Sequence, residues 1–190
     1  MRRWGRPRGT VRSLRSWYQS ASGYRGSWAH GVASDKKIQK GELIVIDFGS
    51  FYHGYTADIT RTVALGHVEP ELEKIYYIVL EAQKRGIAAA IAGNTGKDID
   101  QAGRNYIREQ GYGEYFGHGI GHGIGLEVHE LCTPAMPYSK EVMKNNMAIT
   151  VEPGIYLPDR GGVRIEDDVL IKDNHPYVMS QLPKDELLIL

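Results

Sequence analysis

The stretch Asp47 to Arg61, DFGSFYHGYTADITR, restricts the fold of this chain more than any other. Asp47 and Asp58 are eleven residues apart, an odd separation that would turn them to opposite faces of one continuous strand. The runs on either side, Leu43-Ile44-Val45-Ile46 and Ile59-Thr60-Arg61-Thr62-Val63, favour β structure, and FYHGYT between them contains Gly54. The pattern therefore predicts two strands joined by a hairpin turning near His53-Gly54, which brings the two aspartates side by side. Adjacent carboxylates repel each other unless a proton or a cation stands between them. The ordinary alternative is that each aspartate caps a turn next to a glycine.

Two later segments supply partners for a cation. In GHGIGHGIGLEVHE, His118, His122 and His129 fall within twelve residues, among glycines at 117, 119, 121, 123 and 125. Glycines this dense allow close backbone approach and fill an ordinary helix or strand poorly. A neutral imidazole ligates zinc, manganese, cobalt or iron; the plainer reading is a glycine-rich surface loop with solvated histidines. The third segment, VEPGIY followed by GVRIEDD, contributes Glu152 and Glu166. Val163, Ile165 and Val169 are expected on one face of a strand, with Arg164, Glu166 and Asp168 on the other. A glutamate on such a face is normally solvated, but Arg164 two residues away could fix a carboxylate by a bidentate contact.

Taken together, these words resemble the catalytic domain of the pita-bread metallopeptidases of the aminopeptidase P and prolidase branch, which cleave Xaa-Pro bonds. The resemblance runs from about Ser22 to Leu190, with all five ligand positions in order. It implies Asp47, Asp58, His122, Glu152 and Glu166 as metal ligands and two divalent ions, manganese first, with cobalt, iron or zinc as alternatives. Four carboxylates balance the charge of two divalent cations, which supports a two-metal reading independently. The resemblance further implies Glu152 as proton acceptor, His129 as the group that stabilises the tetrahedral intermediate or protonates the leaving nitrogen, His118 as a further catalytic residue, His30, His118 and His129 as substrate contacts, and Arg164 as support behind the ligands. Short proline-containing peptides are the implied partners, and a homodimer the implied assembly. Methionine aminopeptidases share the ligands but differ around VEPGIY and GVRIEDD and generally lack the His118–His122 pair. A binding module on the same fold, or an impaired remnant, are the non-enzyme alternatives.

The fold class expected is α+β: a curved antiparallel sheet with helices on its outer face, the first half of the pita-bread fold being incomplete. Pro70 followed by Ile75, Ile78, Val79, Ala82, Gly86 and Ala89 predicts a helix closing near Gly93. Thr95 with Asp98 predicts a cap for a second helix over Ile99 to Gln110. Neither helix shows obvious chemistry. Residues 1–20 carry six arginines and no acid, +6 balanced by −6 on the rest of a chain with formal charge zero. This arm lacks amphipathic periodicity, so neither nucleic acid nor membrane is expected as a partner. Residues 1–21 are expected to be an atypical basic segment, disordered or the product of a truncated or frame-disturbed reading, without the apolar strand that should precede Ser22; residues 22–190 are expected to form the catalytic domain. Cys132 is the sole cysteine and no secretory signal is recognisable, so a cytoplasmic location is expected.

Overall fold

The computed structural model describes residues 15–190. In chain order they form β1 (Arg15–Ser22), β2 (Leu43–Tyr52), β3 (Tyr55–Ala64), α1 (Pro70–Ala89), α2 (Gly96–Glu109), β4 (Gly121–Gly123), β5 (Glu130–Ala135), β6 (Ala148–Val151), β7 (Gly154–Leu157), β8 (Gly161–Arg164), β9 (Asp167–Leu170), β10 (Tyr177–Val178) and β11 (Leu188–Ile189). The strands make a sheet of order β1-β2-β3-β11, a second of order β10-β9-β6-β4-β5 and the ribbon β7-β8. Pairing is antiparallel except where β11 runs parallel to β3.

The predicted hairpin forms. Tyr52 pairs with Tyr55, leaving His53-Gly54 as a two-residue turn with φ of 49° and 90°. Positive φ at both positions gives the turn whose twist suits the flanking strands, and glycine removes the steric penalty at the second position. In this register Asp47 faces Thr60 and Asp58 faces Gly49. The aspartates are therefore diagonal neighbours on one face of the sheet.

Residues 15–21 correct the sequence expectation. They do not stand apart from the domain but form β1 with Ser22, paired with β2 from Arg15↔Phe51 to Ser22↔Ile44. No apolar run announces this strand. What defines it is the open edge of β2, which offers a ladder of backbone groups to a stretch of modest β propensity. The part of the atypical arm at 1–14 lies outside the described residues.

The expected strand across 163–169 is also corrected: it is two. β8 pairs with β7, ending at Gly154↔Arg164, while β9 pairs with β6, beginning at Val151↔Asp167. Between them the amide of Glu166 donates to the carbonyl of Thr60 at 3.1 Å, so this segment changes partners at the hairpin. The alternation survives the break, since Val163, Ile165 and Val169 are fully buried in the core. Its polar face is not solvated, however: Arg164, Glu166 and Asp168 are buried beneath β3.

Both helices form close to their predicted bounds. Pro70 opens α1, and Leu72, Ile75, Ile78, Val79 and Ala82 give it a buried face. At α2 Thr95 Oγ1 accepts from the Asp98 amide at 3.2 Å, and Asp98 Oδ2 accepts from the Thr95 amide at 2.8 Å. This reciprocal cap satisfies two amides that a helix start leaves free. Among the described residues no helix is long and apolar enough to cross a membrane.

A buried ion network ties the strands, α1 and the C-terminal segment together. Arg61 donates from Nη2 to Asp167 Oδ1 at 2.7 Å and to the carbonyl of Leu182 at 2.6 Å, and from Nη1 to the carbonyl of Glu166 at 2.6 Å. Gln83 Nε2 donates to Asp167 Oδ2 at 2.8 Å, and Lys184 Nζ reaches the same oxygen. Asp167 is fully buried. Its replacement in Asp167→Ala leaves two enclosed cations without their anion and should cost about 3–5 kcal/mol, read from urea unfolding. A loss indistinguishable from that of an exposed substitution would show that the network bears little of the fold's stability.

Candidate metal centre

Five places in the chain bring four carboxylates and one imidazole together. β2 and β3 present Asp47 and Asp58, β4 presents His122, the residue after β6 is Glu152, and Glu166 lies where the chain passes from β8 to β9. All five line a cavity of about 520 Å³, together with Arg164, His30, His118, His129 and Gln19. Ligand atoms of Asp58, His122 and Glu166 lie within 4.8 Å of one another. His122 Nε2 is 3.4 Å from Glu152 Oε1 and 3.7 Å from Asp58 Oδ2. The approach of β4 to β6 depends on Gly121, where a Cβ would sit 1.9 Å from the carbonyl oxygen of Thr150. That closeness lets the His122 amide donate to Thr150 Oγ1 at 3.0 Å.

Arg164 is the buried permanent cation of the site. It donates from Nη2 to Asp47 Oδ2 at 2.6 Å and from Nε to Thr60 Oγ1 at 3.1 Å. Thr60 Oγ1 in turn donates to Glu166 Oε2 at 2.5 Å, and Thr150 Oγ1 donates to Glu152 Oε1 at 3.2 Å. Two threonine hydroxyls therefore orient two carboxylates. Asp168 Oδ2 accepts from the Asp58 amide at 3.1 Å and steadies the strand beneath it.

Charge is left over. Asp47 Oδ1, Asp58 Oδ1, Glu166 Oε1 and Asp168 Oδ1 are buried and accept no hydrogen bond. Burial, and then the neighbouring Asp47 and Glu152 carboxylates, push Asp58 up to about 9. Burial likewise pushes Glu152 up to about 7 and raises Glu166 well above the usual carboxylate range. Asp47 is raised less, burial being opposed by Arg164. Burial also lowers His122 to about 4, leaving the ring neutral. The Gly123 carbonyl, 3.0 Å from His122 Nδ1, can only accept, so Nδ1 carries the proton and the Nε2 lone pair turns towards the carboxylates. Lone pairs facing one another across 3.4 Å are unfavourable without a cation between them. Enclosed carboxylate oxygens with one imidazole, its far nitrogen fixed by a backbone carbonyl, fit a divalent transition metal.

Three further histidines reach the same cavity in different states. His129 and His30 are exposed at its edge, and the His129 ring lies 4.0 Å from that of His122. His118 is half-buried, and both its ring nitrogens are engaged. Nδ1 donates to the carbonyl of Gly119 at 2.7 Å, and Nε2 accepts from the Tyr156 hydroxyl at 2.8 Å. Tyr156 Oη accepts in turn from Arg164 Nη1 at 3.2 Å. In this arrangement the His118 ring orients Tyr156 while also lining the cavity. Tyr156, Thr60, Thr150, Asp168 and Gln19 escaped the sequence reading. Tyr156 and Asp168 lay inside quoted motifs; the threonines alternate with ligands on their strands, at 58/60 and 150/152, and that spacing could have flagged them.

The raised carboxylates make the metal-free protein sensitive to base. A folded-state pKa above the unfolded value contributes stability at low pH that is lost as pH rises through the folded value. His122 and His118, both lowered to about 4, act in the opposite sense, but only below the ordinary histidine range. Between neutrality and pH about 9 the carboxylates of the site, led by Asp58, lose this contribution. The Tm of chelator-treated protein should therefore fall across that window, and added Mn²⁺ should flatten the fall; a flat profile without metal would contradict the arrangement.

Known proteins place the chain. It is 53% identical over 167 residues to a Xaa-Pro dipeptidase of Pyrococcus furiosus, an overlap of 88% of this chain and 48% of the relative. It superposes with a TM-score of 0.87 on an X-Pro aminopeptidase from Thermotoga maritima, at 46% identity, covering 91% of this chain and 48% of the other. A Xaa-Pro dipeptidase from Bacillus anthracis gives a TM-score of 0.88 at 51% identity, with the same coverage of 91% and 48%. The chain spans about half the length of the relatives it matches. Its architecture is the pita-bread fold of these peptidases. The family model for metallopeptidases of this type matches residues 8–173, the greater part of the sequence, and the chain belongs to metallopeptidase family M24.

Proposed function

We propose that this chain carries a dinuclear metal centre for hydrolysing Xaa-Pro bonds, in dipeptides or at peptide N-termini. Asp47, Asp58, His122, Glu152 and Glu166 would hold two divalent ions, with manganese the first choice and cobalt, iron or zinc the alternatives. The observation that carries this reading is the set of buried, unpartnered oxygens on Asp47, Asp58 and Glu166 that share a cavity with His122 Nε2. When bound, such ions polarise the scissile carbonyl and lower the pKa of water. Glu152, pushed up to about 7 by burial, would take the proton from the attacking water. His129 stabilises the tetrahedral intermediate or protonates the leaving nitrogen, and His30 contacts the peptide at the cavity edge. His118, which lines the cavity beside Tyr156, contacts the peptide as well, and Arg164 fixes Asp47 behind the ligands. Short proline-containing peptides are the substrates in this reading, with a homodimer as assembly and the cytoplasm as location.

The relatives' names support the choice of Xaa-Pro peptides over the methionine aminopeptidase alternative. Hydrolysis of Ala-Pro by the full chain with Mn²⁺ should exceed that of His122→Ala by about 100-fold or more, because the variant lacks an inner ligand. Equal rates for the two proteins would overturn the assignment. Preferential cleavage of Met-Ala peptides would move it to the methionine branch.

A further inference from the structure

The helices, silent in the sequence, reach the segments that carry the site, and one side-chain pair on α2 does so by charge. Arg104 on α2 forms a fork with Asp100, Nε to Oδ2 at 2.7 Å and Nη2 to Oδ1 at 2.9 Å. Its remaining donors leave the helix: Nη1 donates to the carbonyl of Phe116 at 2.9 Å and Nη2 to that of His118 at 2.5 Å. Asp100, fully buried, accepts from the amide of Ile120 at 3.0 Å. Three alternate residues, Phe116, His118 and Ile120, thereby have a backbone group satisfied by a helix side chain. This segment lies outside every strand, so no ladder fixes its register. The Arg104 guanidinium also lies 4.1 Å from the centre of the Phe116 ring.

Ile120 sets the position a second way. A Cβ on Gly103 would lie 2.4 Å from Ile120 Cδ1, and one on Gly86 2.8 Å from it, so the side chain occupies a notch between α2 and α1 that exists because both residues are glycine. The Ile120 carbonyl then accepts from the Glu152 amide at 2.6 Å, and His122 follows two residues later. By contrast Glu81–Arg85 on α1 has the same i,i+4 spacing, with Arg85 Nε 2.8 Å from Glu81 Oε1, but both side chains are exposed.

We infer that the Asp100–Arg104 pair is a positioning device for the metal centre: it holds the backbone of Phe116–Ile120 in the register that aims His118, His122 and Glu152 into the cavity. The inference rests on the metal reading above. A planar fork with five donors can serve a carboxylate and two carbonyls together, whereas glutamine or lysine in its place cannot.

The test uses the full chain with Arg104→Gln, Asp100→Asn and, as a purely packing control on the same helix, Ile107→Val. Two quantities are read: Mn²⁺ affinity by calorimetry, and hydrogen exchange of residues 116–122 in the metal-free protein. Arg104→Gln should weaken Mn²⁺ binding about tenfold or more and speed exchange in that segment, and Asp100→Asn should do so to a smaller extent. Ile107→Val should lower Tm with affinity unchanged. Should Arg104→Gln fail to fold, Asp100→Asn decides. Unaltered affinity and exchange in the folded variants would overturn the inference. If the parent itself binds no Mn²⁺, the metal reading fails, and the exchange measurement alone decides whether the pair sets the segment.

Discussion

The structure turns on a shortage of positive charge in one enclosed place. Asp47, Asp58, Glu152 and Glu166 share a cavity in which Arg164 is the one arginine among the lining residues, and its closest carboxylate contact is with Asp47. His122 adds a neutral lone pair rather than a charge. Burial of carboxylates without compensation is costly, so the cluster must take up protons or cations. The local devices around it make sense on this basis. Thr60 and Thr150 supply hydroxyl donors to Glu166 and Glu152, Asp168 steadies the Asp58 backbone, and the glycine at 121 lets β4 close on β6.

Directly beneath this cluster the same strands carry a second one with ample compensation. Along β3, the β8–β9 junction and β9 the alternation puts Asp58, Thr60, Glu166 and Asp168 on one side, where Asp58 and Glu166 line the cavity, while Arg61 and Asp167 turn the other way. There Arg61, Lys184 and Gln83 enclose Asp167, and Arg61 also holds the carbonyl of Glu166. The backbone that carries the candidate ligands is thus fixed from behind by a separate set of buried groups. One period-2 pattern serves both layers, which is why a single residue's register matters so much here.

What the sequence disclosed, and what it hid, follows from the range of the forces involved. The hairpin was legible because an odd spacing, two β runs and His53-Gly54 are local facts; so was the Thr95–Asp98 cap. The candidate ligands stood out because GHGIGHGIGLEVHE, VEPGIY and GVRIEDD are distinctive words, and all five side chains line one cavity. β1 was hidden, since the segment RSWYQSAS becomes a strand only beside the open edge of β2. The break between β8 and β9 was hidden because both halves keep one alternation while changing partners. The engagement of both His118 nitrogens and the reach of Arg104 from a helix to the ligand segment depend on tertiary placement alone, and no spacing announces them.

The most direct test of the central claim, that the carboxylate cluster is a cation site rather than a set of protonated acids, is the metal stoichiometry of the purified chain after equilibration with Mn²⁺ and desalting, by elemental analysis. The account predicts two ions per chain, reduced when Asp58→Asn and Glu166→Gln remove ligand charge. No retained metal in a folded protein would contradict it.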